Sequence, residues 1–293
     1  MTTSIGLGDI PISSEENGGA ANNQRQMTAV RKALMILAAF RGGPEELGLS
    51  ELARRAGVPK STAFRLLADL ASAGFVERSG STYRLGLSLF ELGSRVSFNR
   101  PNGLREVAMH DLSQLYVQTG LTAHLAVLSG SEIIWVERVG KPPKPGVIEV
   151  PGARITATCT APGKAIIAFS APADVISIMK KRMKRLTPYS INEPGRLAQE
   201  ISAIQQSGVA HEREETALGR MGLAAPILNN GWAIAAIGVS GPLKGTNWQF
   251  AEAQIRQAGT NVSRLFSLVK GDDESALGIF TGASQAAVGG QTP

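Results

Sequence analysis

The chain has 293 residues, enough for two ordinary domains that each have a hydrophobic core. Its 43% hydrophobic content is typical of a soluble globular protein, and no apolar run approaches the roughly 20 residues of a membrane span. The net charge of +6 favours a polyanionic partner, and the single cysteine, Cys159, fits a reducing cytoplasm because it cannot form an internal disulfide.

The first 26 residues are rich in Gly, Ser and Asn, so we expect a disordered tail over residues 1–26. They lack the cationic flank and apolar core of a signal peptide, and we therefore expect a cytoplasmic protein without a membrane partner. A helix is predicted from Thr28 to Phe40, in which Arg31 is a candidate phosphate contact. Its inward positions are Val30, Ala33, Leu34, Leu37 and Phe40.

The stretch Leu49–Arg65 predicts two short helices joined by a tight turn. Ser50 can cap the first helix, because its hydroxyl can accept a hydrogen bond from a free N–H of the opening turn. Gly57 supplies the positive φ that ends this helix, and Pro59 stands where a helix start tolerates proline. The core face of the second helix is formed by Ala63, Leu66, Leu67 and Leu70.

That core face leaves a second set of side chains on or near the outside of the second helix: Lys60, Ser61, Thr62, Phe64 and Arg65. A solvated helix rarely needs an exposed phenyl ring beside cations and hydroxyls, whereas a helix in a DNA groove can use all of them. A helical hairpin that packs against protein is the alternative. Two alternating segments, Phe75–Arg78 and Thr82–Leu85, then predict a small hairpin around Ser79-Gly80-Ser81.

The charge distribution favours the nucleic-acid interpretation. Residues 27–100 contain eleven Lys/Arg and six Asp/Glu, so a quarter of the chain carries a net charge of +5 out of +6. We therefore predict a winged helix-turn-helix domain over residues 27–86 that binds double-stranded DNA. The candidate DNA-binding residues are Arg31, Arg54, Lys60, Ser61, Thr62, Phe64, Arg65, Arg78 and Arg84.

A helix predicted at Leu87–Phe98 is unusually apolar for a connector, with Leu89, Leu92 and Val96 on one side. Such a surface needs a partner, either its own domain or a second copy of itself. We predict a helical linker over residues 87–101 that dimerises, because two copies of a winged helix can read a two-fold-related site.

The remaining pattern is a mixed α/β alternation over residues 102–270, followed by a tail expected to be disordered over 271–293. It predicts an antiparallel sheet with helices on its faces and a pocket near the loops. The helices are predicted at Leu104–Gln118, Ala161–Phe169, Ala173–Arg185, Gly195–Gln206 and Asn247–Val269. The strands are predicted at Thr122–Leu128, Glu132–Val139, Val147–Val150, Met221–Leu228 and Trp232–Ser240.

Catalytic and metal-binding patterns are weak. Cys159 could pair with His124 or His211 as nucleophile and base, but no motif supplies a third, orienting group. The histidines and Glu212 lack metal-ligand spacing. We expect no enzyme activity, no cofactor and no metal. An enzyme with an accessory DNA-binding domain, or a sensor that acts only through protein contacts, stays open as an alternative.

Four stretches form a specific pattern by their order and spacing. They are Ala33–Phe40 with Leu49–Glu77, Tyr83–Gly86 leading into Glu91–Gly93, Gly163-Lys164-Ala165, and Glu215–Gly219 with Ala224–Pro226 and Val239–Pro242. With them, the chain resembles the IclR (isocitrate lyase regulator) family of bacterial transcription factors from about Thr28 to Val269. The resemblance implies an α+β multidomain protein with an N-terminal winged helix-turn-helix, a helical linker that dimerises and a C-terminal GAF-like α/β effector-binding domain. It also implies a homodimer or tetramer on a palindromic operator near catabolic genes.

The resemblance further implies a small organic acid as effector, bound at Ala161, Pro162, Glu212, Gly222, Gly238 and Ser240. Family members that bind small carboxylates use backbone groups at the first two positions, an acid at the third, a Cys at the fourth and Ser at the last two. Here glycine replaces the Cys and one Ser, and Pro162 removes a backbone N–H. We therefore expect an effector bulkier and less polar than glyoxylate or pyruvate, such as an aromatic acid. The alternative is that the glycines only fit the local backbone.

Overall fold

The computed structural model describes residues 27–41, 44–96, 99, 103–142 and 149–270. The tails expected at 1–26 and 271–293, residues 97, 98, 100 and 101 of the predicted linker, and the first half of the strand expected at Val147–Val150 lie outside these residues. The chain divides into two compact units between Gly86 and Leu87. Among the described helices, none has both the length and the apolar character that crossing a membrane requires.

The N-terminal unit is a winged helix-turn-helix, as predicted. Its helices are α1 (Ala29–Ala38), α2 (Leu49–Ala56) and α3 (Lys60–Ser72), and its strands are β1 (Leu47–Gly48), β2 (Val76–Ser79) and β3 (Thr82–Leu85). The strands form an antiparallel sheet in the order β1-β3-β2. One core joins all three helices to the sheet through Ile36, Phe40, Leu52, Ala63, Leu67, Val76 and Tyr83.

The turn between α2 and α3 follows from local chemistry. Gly57 ends α2 at φ +65°, in the left-handed region that favours glycine, and Pro59 precedes the first residue of α3. The cap expected at Ser50 is wrong: α2 begins one residue earlier, at Leu49, and Gly48 takes the capping position without a side-chain hydrogen bond.

The inward face expected for α1 is wrong in part. Val30 and Leu34 are 70% and 60% exposed, whereas Ile36 is fully buried. The helix begins at the Thr28 cap, whose hydroxyl accepts a hydrogen bond from the backbone N–H of Arg31. Only its C-terminal half meets the core, so the apolar residues of its first two turns remain exposed.

The C-terminal unit contains a six-stranded antiparallel sheet in the order β6-β5-β4-β9-β8-β7. Its strands are β4 (Thr122–Ser129), β5 (Glu132–Val139), β6 (Arg154–Thr156), β7 (Ala210–Arg213), β8 (Arg220–Asn229) and β9 (Trp232–Pro242). Its helices are α4 (Leu87–Ser94), α5 (Leu104–Thr119), α6 (Ala161–Ala168), α7 (Pro172–Met179), α8 (Pro194–Ser207) and α9 (Trp248–Lys270). Helices α5 and α9 share one core with the sheet, and α6, α7 and α8 share a second core with it.

Two helices end four or more residues before their predicted bounds. Helix α7 ends at Met179 rather than Arg185. Continuing it would align Lys180 with Lys184 and Lys181 with Arg185 at i, i+4 spacing, where like charges destabilise a helix. Helix α4 ends at Ser94 rather than Phe98 and has no buried residue. Glu149 and Val150, the described half of the strand expected at Val147–Val150, are not in a strand.

Candidate functional site

The first candidate surface is the outer face of α3. Lys60, Ser61, Phe64 and Arg65 are exposed and Thr62 is half-buried, with Phe64 49% exposed. The helix takes this orientation because Ala63 and Leu67, on its opposite face, are completely buried. The five residues therefore form one continuous face of hydroxyls, cations and an aromatic ring.

The candidate DNA-binding cations differ in whether they form ion pairs within the protein. Arg54 donates two hydrogen bonds to Glu51, at 2.7 and 2.8 Å, and together with Arg55 it lowers the pKa of Glu51 to about 2. Arg84 pairs with Glu77 across the β-hairpin at 2.7 Å. Within the described part of the chain, neither Lys60 nor Arg65 forms an ion pair.

Two further cations lie outside α3. The Nε of Arg78 donates to the carbonyl oxygen of Gly80 at the tip of the hairpin, and Arg31 is exposed in the first turn of α1. Lys60 and Arg65 are thus the cations of α3 that are free to meet phosphates or base edges.

The second candidate site is a cavity of about 330 Å³ in the C-terminal unit. One side is the sheet, with residues from all six strands, and the other is the N-terminus of α6 at Thr160, Ala161 and Pro162. The start of α6 packs closely on the preceding turn because residue 163 is glycine: a Cβ there would lie 2.1 Å from the carbonyl oxygen of Ala157.

The structure brings five of the six candidate effector residues to this cavity: Ala161, Pro162, Glu212, Gly222 and Ser240. Strand register explains the grouping, because Glu212 pairs with Gly222 across β7 and β8, and Gly222 pairs with Ser240 across β8 and β9. Gly238 does not line the cavity.

Each of the two unusual glycines makes room for a neighbouring side chain. A Cβ at Gly238 would lie 2.6 Å from Cε1 of His124, its direct partner across β4 and β9. A Cβ at Gly222 would lie 3.2 Å from Oε2 of Glu212. The space left by the missing side chains is therefore taken up by an imidazole and a longer carboxylate.

Glu212 is held by its neighbours in the following loop. Its Oε1 accepts hydrogen bonds from the backbone N–H groups of Glu215 and Thr216, at 2.9 and 3.0 Å, and from the Thr216 hydroxyl at 3.0 Å. Burial raises the pKa of Glu212 to about 6, although these hydrogen bonds oppose the rise.

Two aromatic rings form part of the cavity wall. His124 and Trp135 meet edge to face, with ring centroids 4.7 Å apart and planes inclined by 62°. Burial lowers the pKa of His124 to about 4, so its imidazole is neutral near pH 7. His124 Nδ1 and Trp135 Nε1 are buried and have no hydrogen-bond partner among the described residues.

Sequence reasoning missed an ion pair in the cavity. Nη2 of Arg220 lies 2.9 and 3.1 Å from the two carboxylate oxygens of Glu149 and 2.9 Å from Oγ of Ser240. Strand alternation could have found Arg220, because it stands two residues before Gly222 and so on the same face of β8. No sequence signal marks Glu149, which lies in a loop.

The residues considered for catalysis have other surroundings. Cys159 is buried and its thiol donates to the carbonyl oxygen of Lys184, while His211 lies 3.4 Å from Glu252 of α9. Lys164, 1% exposed, forms a buried ion pair with Glu215 at 2.5 Å. Among the described residues, no group of three or more His, Cys, Asp or Glu side chains could hold a metal ion.

Two family models match this chain. One, described as the bacterial transcriptional regulator IclR C-terminal domain, matches residues 100–264, and the other, the IclR helix-turn-helix domain, matches residues 29–80. The transcriptional regulator BhcR of Paracoccus denitrificans is 31% identical over 235 residues, which cover 79% of this chain and 81% of that protein.

Two other relatives carry names that refer to an aromatic acid. The p-hydroxybenzoate hydroxylase transcriptional activator of Acinetobacter baylyi is 29% identical over 234 residues, covering 78% of this chain and 84% of that protein. The crystal structure of an IclR homologue from Microbacterium hydrocarbonoxydans, complexed with 4-hydroxybenzoate, superposes with a TM-score of 0.74 at 22% identity. The match covers 82% of this chain and all of that one, and it shows a shared fold.

Proposed function

This chain belongs to the IclR family of bacterial transcriptional regulators and is a DNA-binding regulator of that type, and from this premise we propose its operator, effector and assembly. It binds a palindromic operator near catabolic genes as a homodimer or tetramer and responds to a small organic acid. It works in the cytoplasm, where that operator is, and acts by binding rather than by catalysis. The names of its relatives, which are regulators, support this.

Helix α3 enters the major groove through Lys60, Ser61, Thr62, Phe64 and Arg65, while Arg78 and Arg84 of the hairpin approach the backbone or minor groove. The supporting observation is that α3 presents these residues on one exposed face and that its two cations, Lys60 and Arg65, form no ion pair with a described residue. Arg31 and Arg54 make secondary phosphate contacts. In this proposal the DNA-binding domain covers residues 27–86, the linker covers 87–101 and the effector-binding domain covers 102–270.

The effector is an aromatic acid that binds in the cavity of the C-terminal unit. The observation that supports this class is the cavity wall, to which His124 and Trp135 contribute two aromatic rings that meet edge to face. An aromatic ligand can pack against such rings. The proposal of an aromatic acid depends on these two rings and not on extra volume at Gly222 and Gly238, because the side chains of Glu212 and His124 occupy that space.

The Acinetobacter and Microbacterium relatives agree with this class by their names alone. Effector binding regulates only if the acid binds one arrangement of the two DNA-binding domains better than the other. The predicted linker, of which α4 is the described helix, couples the two sites.

Two measurements test the proposal. A gel-shift experiment on the protein's own upstream DNA, with and without 4-hydroxybenzoate, measures operator binding and its response to acid. A thermal-shift screen compares aromatic acids with glyoxylate and pyruvate, since a bound ligand raises the melting temperature. A rise with only the smallest acids would contradict the aromatic class, and absence of salt-sensitive DNA affinity would contradict the DNA-binding role.

A further inference from the structure

The ion pair between Arg220 and Glu149 lies inside the cavity and not on the outer surface of the unit. Both residues line the cavity, as does Ser240, and the two charged side chains are 20% and 12% exposed. Ser240 is 5% exposed. A positive charge so well removed from water has to be paired, and here it is paired with a carboxylate of the same chain.

The guanidinium group of Arg220 has N–H donors that are not used by its contacts with Glu149 and Ser240. All three of its contacts, two to Glu149 and one to Ser240, are made by Nη2. Its Nε and Nη1 make no hydrogen bond with any residue that the structure describes. Because arginine has five N–H donors in a planar fork, three remain for a carboxylate that enters the cavity.

From this geometry we propose that Arg220 binds the carboxylate of the effector and that Glu149 competes with the effector for Arg220. The inference deepens the proposed function, because it rests on the cavity being the effector site. The acid first meets the free Nε and Nη1 of Arg220, and repulsion between its carboxylate and that of Glu149 then releases Glu149 from Arg220. The charge beside Arg220 stays balanced throughout, so neither state leaves the guanidinium unpaired.

The other cations of the cavity are weaker candidates for this role. Arg154 is 34% exposed and Lys184 is 71% exposed, and each lies 3.7 Å from Glu132. Ion pairs at that distance and exposure contribute little, because water screens them. Arg220 is less exposed than either cation, and the Ser240 hydroxyl beside it offers a further contact for the acid.

The cavity otherwise disfavours an acid. Glu132, Glu149 and Glu212 all line it, and each ionised carboxylate would repel an anionic ligand. Glu212 is turned towards its own loop by three hydrogen bonds to Oε1, and Glu132 lies near Arg154 and Lys184. Glu149 is the carboxylate that contacts Arg220, so removing its charge should improve acid binding most.

The first test is Glu149→Gln in the full chain, titrated calorimetrically with benzoate, 4-hydroxybenzoate and pyruvate, and with benzamide as the neutral analogue of benzoate. We expect the acids that bind the original protein to bind the variant about tenfold more tightly, because the competing charge is gone. Benzamide affinity should not change. Unchanged or weaker acid affinity in the variant would overturn the competition.

The second test removes both charges, because Arg220→Gln alone would leave Glu149 unpaired and could impair folding. The double variant Arg220→Gln/Glu149→Gln should bind the acids at least thirtyfold more weakly than Glu149→Gln, again with benzamide unchanged. The matched control is Arg256→Gln/Glu252→Gln, which removes an arginine–glutamate pair of α9 that does not line the cavity. Its acid affinity should stay within twofold of the original protein.

The outcomes separate this inference from the aromatic-effector proposal. Binding of pyruvate alone, lost in the double variant, would support Arg220 as the carboxylate receptor and contradict an aromatic effector. If benzoate bound the double variant as tightly as it bound Glu149→Gln, the result would support an aromatic effector and contradict Arg220 as the carboxylate receptor. If no acid of the panel bound any of these proteins, the inference would be overturned, while the gel-shift experiment would still decide DNA binding.

Discussion

Arg65 is the residue whose surroundings best distinguish a DNA-reading helix from a solvated one. It is exposed on α3, forms no ion pair with a described residue and stands beside Phe64 on the same face. Arg54, by contrast, is already bonded to Glu51. The free arginine is the one that we expect to contribute a direct contact to the operator.

We predict that Arg65→Ala weakens operator binding by about 1–3 kcal/mol, the usual range for a contact between arginine and a base edge. Fluorescence anisotropy with an operator duplex measures the loss. Arg182→Ala is the matched control, since Arg182 is an exposed arginine of the C-terminal unit and should leave the affinity unchanged. Equal operator affinity in Arg65→Ala and the original protein would remove Arg65 from the interface.

Glu212 makes the stability of the C-terminal unit depend on pH. Its pKa in the folded protein is about 6, above the ordinary value of 4.5, because it is buried. Below pH 4.5 the group is protonated in both the folded and unfolded chain and costs nothing. As pH rises from 4.5 to 6 the unfolded chain ionises first, so stability is lost, up to about 2 kcal/mol.

We therefore predict that Glu212→Gln gains stability relative to the original protein as pH rises. The difference in unfolding free energy should grow by about 2 kcal/mol between pH 4 and pH 7. Glutamine keeps the Oε1 acceptor that Glu215 and Thr216 use, so the loop stays in place. Urea unfolding at several pH values measures the difference, and a constant difference would refute the raised pKa.

At the scale of the element, adjacent strands decide which side chains the cavity contains. The row across β7, β8 and β9 places Glu212 beside Gly222 and Gly222 beside Ser240, and the pairing of β4 with β9 places His124 opposite Gly238. Gly238 is the more restricted of the two glycines. A Cβ there would lie 2.7 Å from the carbonyl oxygen of Leu223 as well as against the imidazole.

We predict that Gly238→Ala destabilises the protein by about 1–3 kcal/mol, as overpacking in a closed core does. Gly222→Ala should cost less, because its new methyl group would meet the end of a flexible side chain, Oε2 of Glu212, at 3.2 Å. Urea unfolding measures the loss of unfolding free energy in each variant. Equal losses for Gly238→Ala and Gly222→Ala would contradict the prediction that Gly238 is the more restricted position.

Long elements could be predicted from the sequence because their periodicity repeats. Helix α3 follows from its apolar spacing, and the β4–β5 hairpin follows from Ser129-Gly130-Ser131 between two alternating segments. Strands β1 and β6 have two and three residues, too few for any period to show. Strand β7 has four, like β2 and β3, but the connection from Arg213 to Arg220 is too long to be marked by a short hairpin turn. Strands β1, β6 and β7 form because longer neighbouring strands pair with them, which is a tertiary effect.

The cavity of the C-terminal unit could be predicted in part from the sequence. Five of the six residues that the resemblance implies for the effector line this one cavity, whereas the filling of the two glycine positions depends on cross-strand register. Glu149 approaches Arg220 across 71 residues of sequence, and no local pattern encodes such a contact. Composition and spacing predict the structure of single segments, whereas a binding site combines side chains from several segments that are distant in sequence.

At the scale of the whole molecule, apolar surface on a single chain indicates how copies assemble. Leu87, Phe90 and Leu92 of α4 are 64%, 71% and 55% exposed, although the helix is strongly apolar. In the proposed homodimer, α4 gains stability by burying that face against a second copy. Two copies of α3 could then read the two halves of a palindrome together.

We predict that Phe90→Ser/Leu92→Ser shifts the protein to monomers, measured by light scattering after size-exclusion chromatography. The fold should survive, because neither side chain is buried, and circular dichroism checks this. Operator affinity should fall by roughly a hundredfold, because each DNA-binding domain then binds its half-site without a tethered second one. Ile176→Ser on α7, another exposed apolar position, is the control and should change neither property. A double variant that stays dimeric, or a monomer that binds the operator as tightly as the original protein, would show that α4 does not join the two DNA-binding domains.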